Sequence, residues 1–154
     1  MSQLDVRIVK LEPMTVASAY GFGNEPEGIA SSKMNVWSKP RGFFDDPERH
    51  PTFGFNNPDP SPGSPNYGYE IWMKVDDAAQ PEGDVKIKKF SGGLYAVTSF
   101  TGLSRIGDVW KQLVVWREAS RYKCGHQQWL EHLHNWTARD VEEFVFDLYL
   151  PIEE

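Results

Sequence analysis

Two glutamates stand where a carboxylate is expensive. Glu131 interrupts the apolar run "HQQWLEHLHN", residues 126–135, and Glu70 lies inside "YGYEIWM", residues 67–73. A carboxylate in an apolar segment costs free energy unless a cation or hydrogen-bond donors meet it. Both segments read as strands, in which alternate side chains share a face. Glu131 then shares its face with Trp129 and Leu133. A half-buried carboxylate among rings attracts cations, and each ring adds about 0.5–2 kcal/mol of cation–π attraction. The same surroundings can raise its pKa and make it an acid or a base. The plain alternative is an exposed strand charge with a lysine neighbour. Around Glu70, alternation puts Tyr67, Tyr69, Ile71 and Met73 on one face and Glu70, Trp72 and Lys74 on the other. Lys74 carries that second face toward solvent at one end, so Glu70 ranks below Glu131.

Cys124, His126, His132 and His134 form a tempting metal set, because residues two apart on a strand point the same way. An internal repeat argues against it. At an offset of 79, Val6, Ile8 and Lys10 fall on Val85, Ile87 and Lys89; Ala17 falls on Ala96, Gly23 on Gly102, Trp37 on Trp116 and Asn56 on Asn135. In this register His132 and His134 fall on Phe53 and Phe55, so the fold fills those positions with rings of either kind. No metal and no cofactor are expected, and nothing identifies a base beside Cys124. Glu131 falls on Thr52, so one half has acquired a carboxylate that the fold does not need. Trp110 falls on Ser31, which marks it as a feature of one half and a candidate cavity wall. Trp37 and Trp116 recur in both halves and are expected in the core.

The elements that must position these residues also come twice. "DVRIVKL" and "DVKIKKF" alternate with period two, and "PMTVASAYGF" and "GGLYAVTSFTG" read as second strands. A helix follows in each half. Asn24 and Glu27 resemble a capping box with Pro26 in the first turn, and Ala30, Met34 and Trp37 share a face. In the second half Ser104 is the candidate cap, followed by a stripe of Ile106, Val109, Trp110, Leu113 and Trp116. "TFGFN" and "YGYEIWMKV" close the first half; "WLEHLHN" and "FVFDLYLPI" close the second. The loop "NPDPSPGSPN", rich in Pro and Ser, is an exposed connection. The expected fold is α+β: duplicated β-β-α-β-β units, residues 4–76 and 84–152, with pseudo-twofold symmetry, an antiparallel sheet and two main helices.

The chain has 154 residues, 40% apolar and 14% aromatic, with six Trp, enough for one domain with a sizeable core. No run of 18 apolar residues and no signal-peptide pattern appear, so neither a membrane span nor export is expected. A single cysteine fits a reducing cytoplasm. A net charge of −6 argues against direct DNA binding.

"FSGGLYAVTSFTG", "IGDVWKQLVVWREASRY", "WLEHLHN" and "FDLYLPI", with the earlier "TFGFNNP" and "YGYEIWMKV", resemble the GyrI-like small-molecule-binding domain. It is also the effector-binding domain of AraC-type and MerR-type multidrug regulators. The resemblance covers about residues 4–152. It implies a groove between the halves for flat aromatic, often cationic, compounds. It also implies a ligand-contacting glutamate on the strand before the last, the place of Glu131. Tyr67, Tyr69, Tyr95, Trp110, Trp129 and Tyr149 are the cavity walls it suggests. No basic helical segment precedes the duplicated unit, so a stand-alone binder of hydrophobic, cationic aromatic compounds is the first reading. A hydrolase of cyclopropane-bearing DNA-alkylating compounds, using Glu131 with Glu70 or a Tyr, is the second. A gyrase-inhibitor-type protein-interaction module is the third.

Overall fold

The computed structural model describes residues 4–57, 59, 62–135 and 138–154. Of the Pro/Ser-rich loop, residues 58, 60 and 61 lie outside the described residues. In chain order come β1 (Arg7–Leu11), β2 (Met14–Gly23), α1 (Pro26–Ser38), β3 (Thr52–Asn56) and β4 (Tyr67–Val75). Then follow β5 (Lys86–Phe90), β6 (Gly93–Thr101), α2 (Ile106–Ala119), β7 (Lys123–Cys124), β8 (Leu130–Leu133) and β9 (Val145–Glu153). The fold is α+β and duplicated, with antiparallel strands and one main helix per half.

The chain forms two compact units. The N-terminal unit is Pro13–Ser91; the C-terminal unit is Gly92–Glu154 together with the chain up to Glu12. Each unit therefore takes the other half's first strand. In the N-terminal unit the strands run β3-β4-β2-β5, and in the C-terminal unit β1-β6-β9-β8, with short β7 on β9. Met14↔Phe90 and Val16↔Lys88 set the register of β2 on β5. Ile8↔Ala96 and Val9↔Tyr95 set that of β1 on β6.

Each helix covers one face of its own sheet. Met34 and Trp37 of α1 pack with Ala17, Ala19, Met73, Val75 and Val85, and Ala30 is fully buried. The β2 backbone comes very near the start of α1 at Gly21, where a Cβ would lie 2.9 Å from the Ala30 nitrogen. Val109 and Leu113 of α2 pack with Ala96, Phe100, Phe146, Leu148, Leu150 and Ile152, and Ile106, Trp110 and Trp116 lie partly buried against them. Trp37 and Trp116 are both helical, at repeat-equivalent positions. Trp37 is 3% exposed, whereas Trp116 is half-buried and stacks on Tyr122 at 6.1 Å.

The caps differ from expectation. Glu25, not Asn24, stands at the N-cap of α1, with no side-chain cap bond. Pro26 already sets the φ of the first turn and brings no N–H that needs an acceptor. Glu27 accepts instead from the Tyr67 hydroxyl at 2.5 Å. Ser104 lies in a 3₁₀ turn, Leu103–Arg105, ahead of α2. Its own N–H donates to Glu142 Oε2 at 3.1 Å, so a distant glutamate does the capping.

Candidate functional site

The register of β9 decides which side chains can meet in the C-terminal unit. Glu131 lies opposite Leu148 and Leu133 opposite Phe146; Thr98 and Phe100 of β6 flank the same two β9 residues. Directly opposed residues share a face, and Phe100, Phe146 and Leu148 belong to the cluster under α2. Glu131 is therefore on the α2 face, half-buried. Trp129, two residues earlier and 40% exposed, meets Trp110 of α2 with ring centroids 5.3 Å apart. Trp110, Trp129 and Glu131 thus gather on one side: two tilted indoles and a carboxylate on apolar packing.

Tyr95 and Tyr149 lie on the opposite face. Val97 pairs with Tyr149 and Tyr95 with Pro151, and the two phenol rings meet edge to face at 5.7 Å. Tyr95 is fully buried and donates to the Gln128 carbonyl at 2.7 Å. Burial pushes its phenol far above the ordinary range. Tyr149 is raised too, by burial first and then by the Asp147 charge, with Arg7 acting against it. Tyr67 and Tyr69 belong to the N-terminal unit, on the α1 face of β4. The Tyr69 phenol crosses Gly54, where a Cβ would strike its ring.

Glu70 faces away from α1 and is 4% exposed. Its Oε2 accepts from Ser18 Oγ at 2.7 Å, Trp72 Nε1 at 2.6 Å and Lys88 Nζ at 2.7 Å. Asn57 Nδ2 donates to Oε1 at 3.3 Å. Burial alone would lift its pKa, but Lys88, Ser18 and Trp72 together hold it below the usual glutamate value. Lys74 is exposed, as its position suggested, yet the cation that matters is Lys88 on β5. Phe55 and Phe90 close on Trp72 at 4.9 and 5.4 Å.

A second buried carboxylate escaped the sequence reading. Asp147, 5% exposed, accepts from Ser99 Oγ at 2.5 Å and Arg7 Nη2 at 3.0 Å. His134 Nε2 lies 2.8 Å from it. Burial raises its pKa, and the Ser99 and His134 hydrogen bonds with the Arg7 charge bring it below the usual aspartate value. The signal was available: a charge inside "FVFDLYL", and an arginine inside the alternating "DVRIVKL". Cys124 is exposed on β7. Among the described residues, no three His, Cys, Asp or Glu side chains converge as a metal site. No described helix is long and apolar enough to cross a membrane.

These two helix-backed antiparallel units make up an effector-binding domain, a small-molecule-binding class. The chain belongs to the integron-associated effector-binding protein family, whose model matches residues 7–152. No curated protein matches it in sequence. Among solved structures it is similar to EcmrR, solved in complex with DNA: TM-score 0.74, 14% identity, covering 100% of this chain and 59% of that one. It is similar to a hydrolase from Listeria innocua: TM-score 0.72, 10% identity, covering 99% of this chain and 94% of that one. It is also similar to SAV2435 bound to tetraphenylphosphonium: TM-score 0.58, 10% identity, covering 97% and 94%. At such identities these likenesses show the fold alone.

Proposed function

We propose that the protein binds a hydrophobic, cationic aromatic effector, with Glu131 as the charge that selects it. The observation that carries this is a half-buried carboxylate on the α2 face of β8, two residues from Trp129, whose indole meets Trp110. The indoles offer π faces to a flat ring, and Glu131 offers the counter-charge. The tetraphenylphosphonium seen on SAV2435, a lipophilic aromatic cation, supports the same ligand class. Tyr149 lies on the opposite face of the C-terminal sheet, and Tyr67 and Tyr69 belong to the N-terminal unit, so this reading rests on Glu131, Trp110 and Trp129 alone. Tyr95 serves as support, because its ring has no exposed surface.

Glu131→Gln keeps the shape and removes the charge. Charge-assisted contacts are worth about 1.5–3 kcal/mol, so affinity for a fluorescent cationic dye should fall roughly ten- to a hundredfold. A neutral analogue of the same shape should be nearly unaffected. Equal losses for both ligands would indicate disturbed folding, and no loss for either would make Glu131 an ordinary strand carboxylate.

A hydrolase that opens cyclopropane-bearing DNA-alkylating compounds is the second reading, supported by the fold shared with the Listeria innocua hydrolase. Glu131 would orient the water. Glu70 suits that task poorly, since Ser18, Trp72 and the Lys88 ammonium already hold it as a carboxylate. Ligand recovered unchanged after saturating incubation would rule this reading out.

A further inference from the structure

Among the described residues, three side chains with a formal charge are buried: Glu70, Asp147 and Arg117. The first two are met by opposite charges. Arg117, on the last turn of α2 and 8% exposed, is not. Among the described residues its guanidinium has no hydrogen bond, ion pair or ring contact, and the Ser120 hydroxyl donates to its backbone carbonyl, not to its side chain. Buried charges are normally paired. The helix dipole favours a cation at this end, but it leaves all five guanidinium N–H donors unused. The partnerless side-chain N and O atoms sealed from solvent are Ser38 Oγ and Gln127 Oε1, so the guanidinium nitrogens are not sealed. The little surface that Arg117 exposes therefore includes its guanidinium. Nor does the fold demand arginine here, because the repeat-equivalent residue is Ser38, also buried.

Arg117 follows Trp110 by seven residues, which returns it to the same helical face about 10 Å further along the axis. Trp110 is the indole that meets Trp129. We infer that Arg117 is an anion-binding residue that takes the carboxylate of an aromatic acid, whose ring lies toward the Trp110–Trp129 pair. The planar fork matches a carboxylate with two parallel hydrogen bonds. This site shares the Trp110–Trp129 pair with the cation reading and differs from it in the charge it offers, Arg117 in place of Glu131.

The test compares 1-naphthoate with its neutral amide, followed by tryptophan fluorescence and by the Arg117 Nε NMR resonance in the unaltered protein. Naphthoate should bind roughly ten- to a hundredfold more tightly than the amide and shift that resonance. Arg117→Gln should erase the preference, while Arg117→Lys, which keeps the charge without the fork, should retain part of it. The Lys variant and the direct resonance keep the test meaningful if the Gln variant folds poorly. Inorganic phosphate should displace naphthoate only weakly if the ring contributes; displacement at equal concentration would overturn the aromatic part. Equal binding of acid and amide, or an unmoved resonance, would overturn the whole inference and leave Arg117 as a cation closing the helix end. Cationic-dye binding by Glu131→Gln, measured alongside, fails or holds independently.

Discussion

Replacing Glu70 by glutamine measures how much one buried carboxylate holds the N-terminal unit together. Three donors converge on its Oε2 and one weaker donor on Oε1. Glutamine can keep its oxygen on the three donors, and its amide N–H then faces Asn57, whose own amide must flip to present Oδ1 as the acceptor, so the shape survives. What is lost is charge assistance, about 1 kcal/mol for each of three bonds. Lys88 is 43% exposed, and its share is reduced by solvent screening. Glutamine also recovers the desolvation that the carboxylate suffers. The net cost should be about 1–3 kcal/mol. Glu70→Leu should cost more, about 2–4 kcal/mol, because it leaves the Ser18 and Trp72 donors without an acceptor. The pH dependence gives the sharper check. The folded pKa of Glu70 is depressed, so its stabilisation is complete above the unfolded value of about 4.3. It is lost as pH falls through the folded pKa. Urea denaturation of both proteins should therefore show a constant gap above about pH 5 that closes in acid. Asp147 titrates in the same direction in both proteins and cancels. A gap that stays constant into strong acid would refute the assignment of the stabilisation to the ionised carboxylate.

Trp37→Ala should cost about 3–5 kcal/mol and Trp116→Ala less, about 1–3 kcal/mol, because only the first indole is fully buried; chemical denaturation ranks them. At physiological salt this chain should show no submicromolar affinity for duplex DNA, since a net charge of −6 offers little phosphate neutralisation; a fluorescence-anisotropy titration over salt checks it.

Much of the fold was legible because period and repeat are local signals. The 3.6-residue stripe through Ile106, Val109, Trp110, Leu113 and Trp116 became the packed face of α2, and the alternating segments became strands. Pairing partners were not legible. Alternation tells which side chains share a face, but β1 and β5 carry near-identical patterns, and nothing in them says which second strand each joins. The partners of the two buried carboxylates follow from that choice: Lys88 reaches Glu70 only because β5 lies on β2, and Arg7 reaches Asp147 only because β1 lies on β6. In the candidate site, the grouping of Trp129 with Glu131 followed from strand period. The placement of Tyr95 and Tyr149 on the opposite face needed the β6–β9 register. The caps failed for another reason: Asn24 has the right chemistry, but Pro26 had already settled the first turn.

The exchange of first strands carries its own consequence. The C-terminal unit is completed by a strand that lies about a half-chain away in sequence, through Arg7↔Val97 to Leu11↔Gly93 and through the Thr98 hydroxyl on the Asp5 carbonyl at 2.8 Å. Removing residues 1–12 would open the edge of β6, strip the guanidinium from Asp147 and take away Leu4 and Val6, which pack on the α2 cluster. It removes nothing from the hydrogen bonds of β2, whose neighbours are β4 and β5. Hydrogen exchange of the truncated protein should therefore show lost protection at the β6 amides from Gly93 to Val97, with protection of β2 retained. The opposite result, exposure of β2 with β6 intact, would mean that each half keeps its own first strand. Lost protection in both would mean that the two units unfold as one, so that the C-terminal unit's first strand stabilises the whole chain.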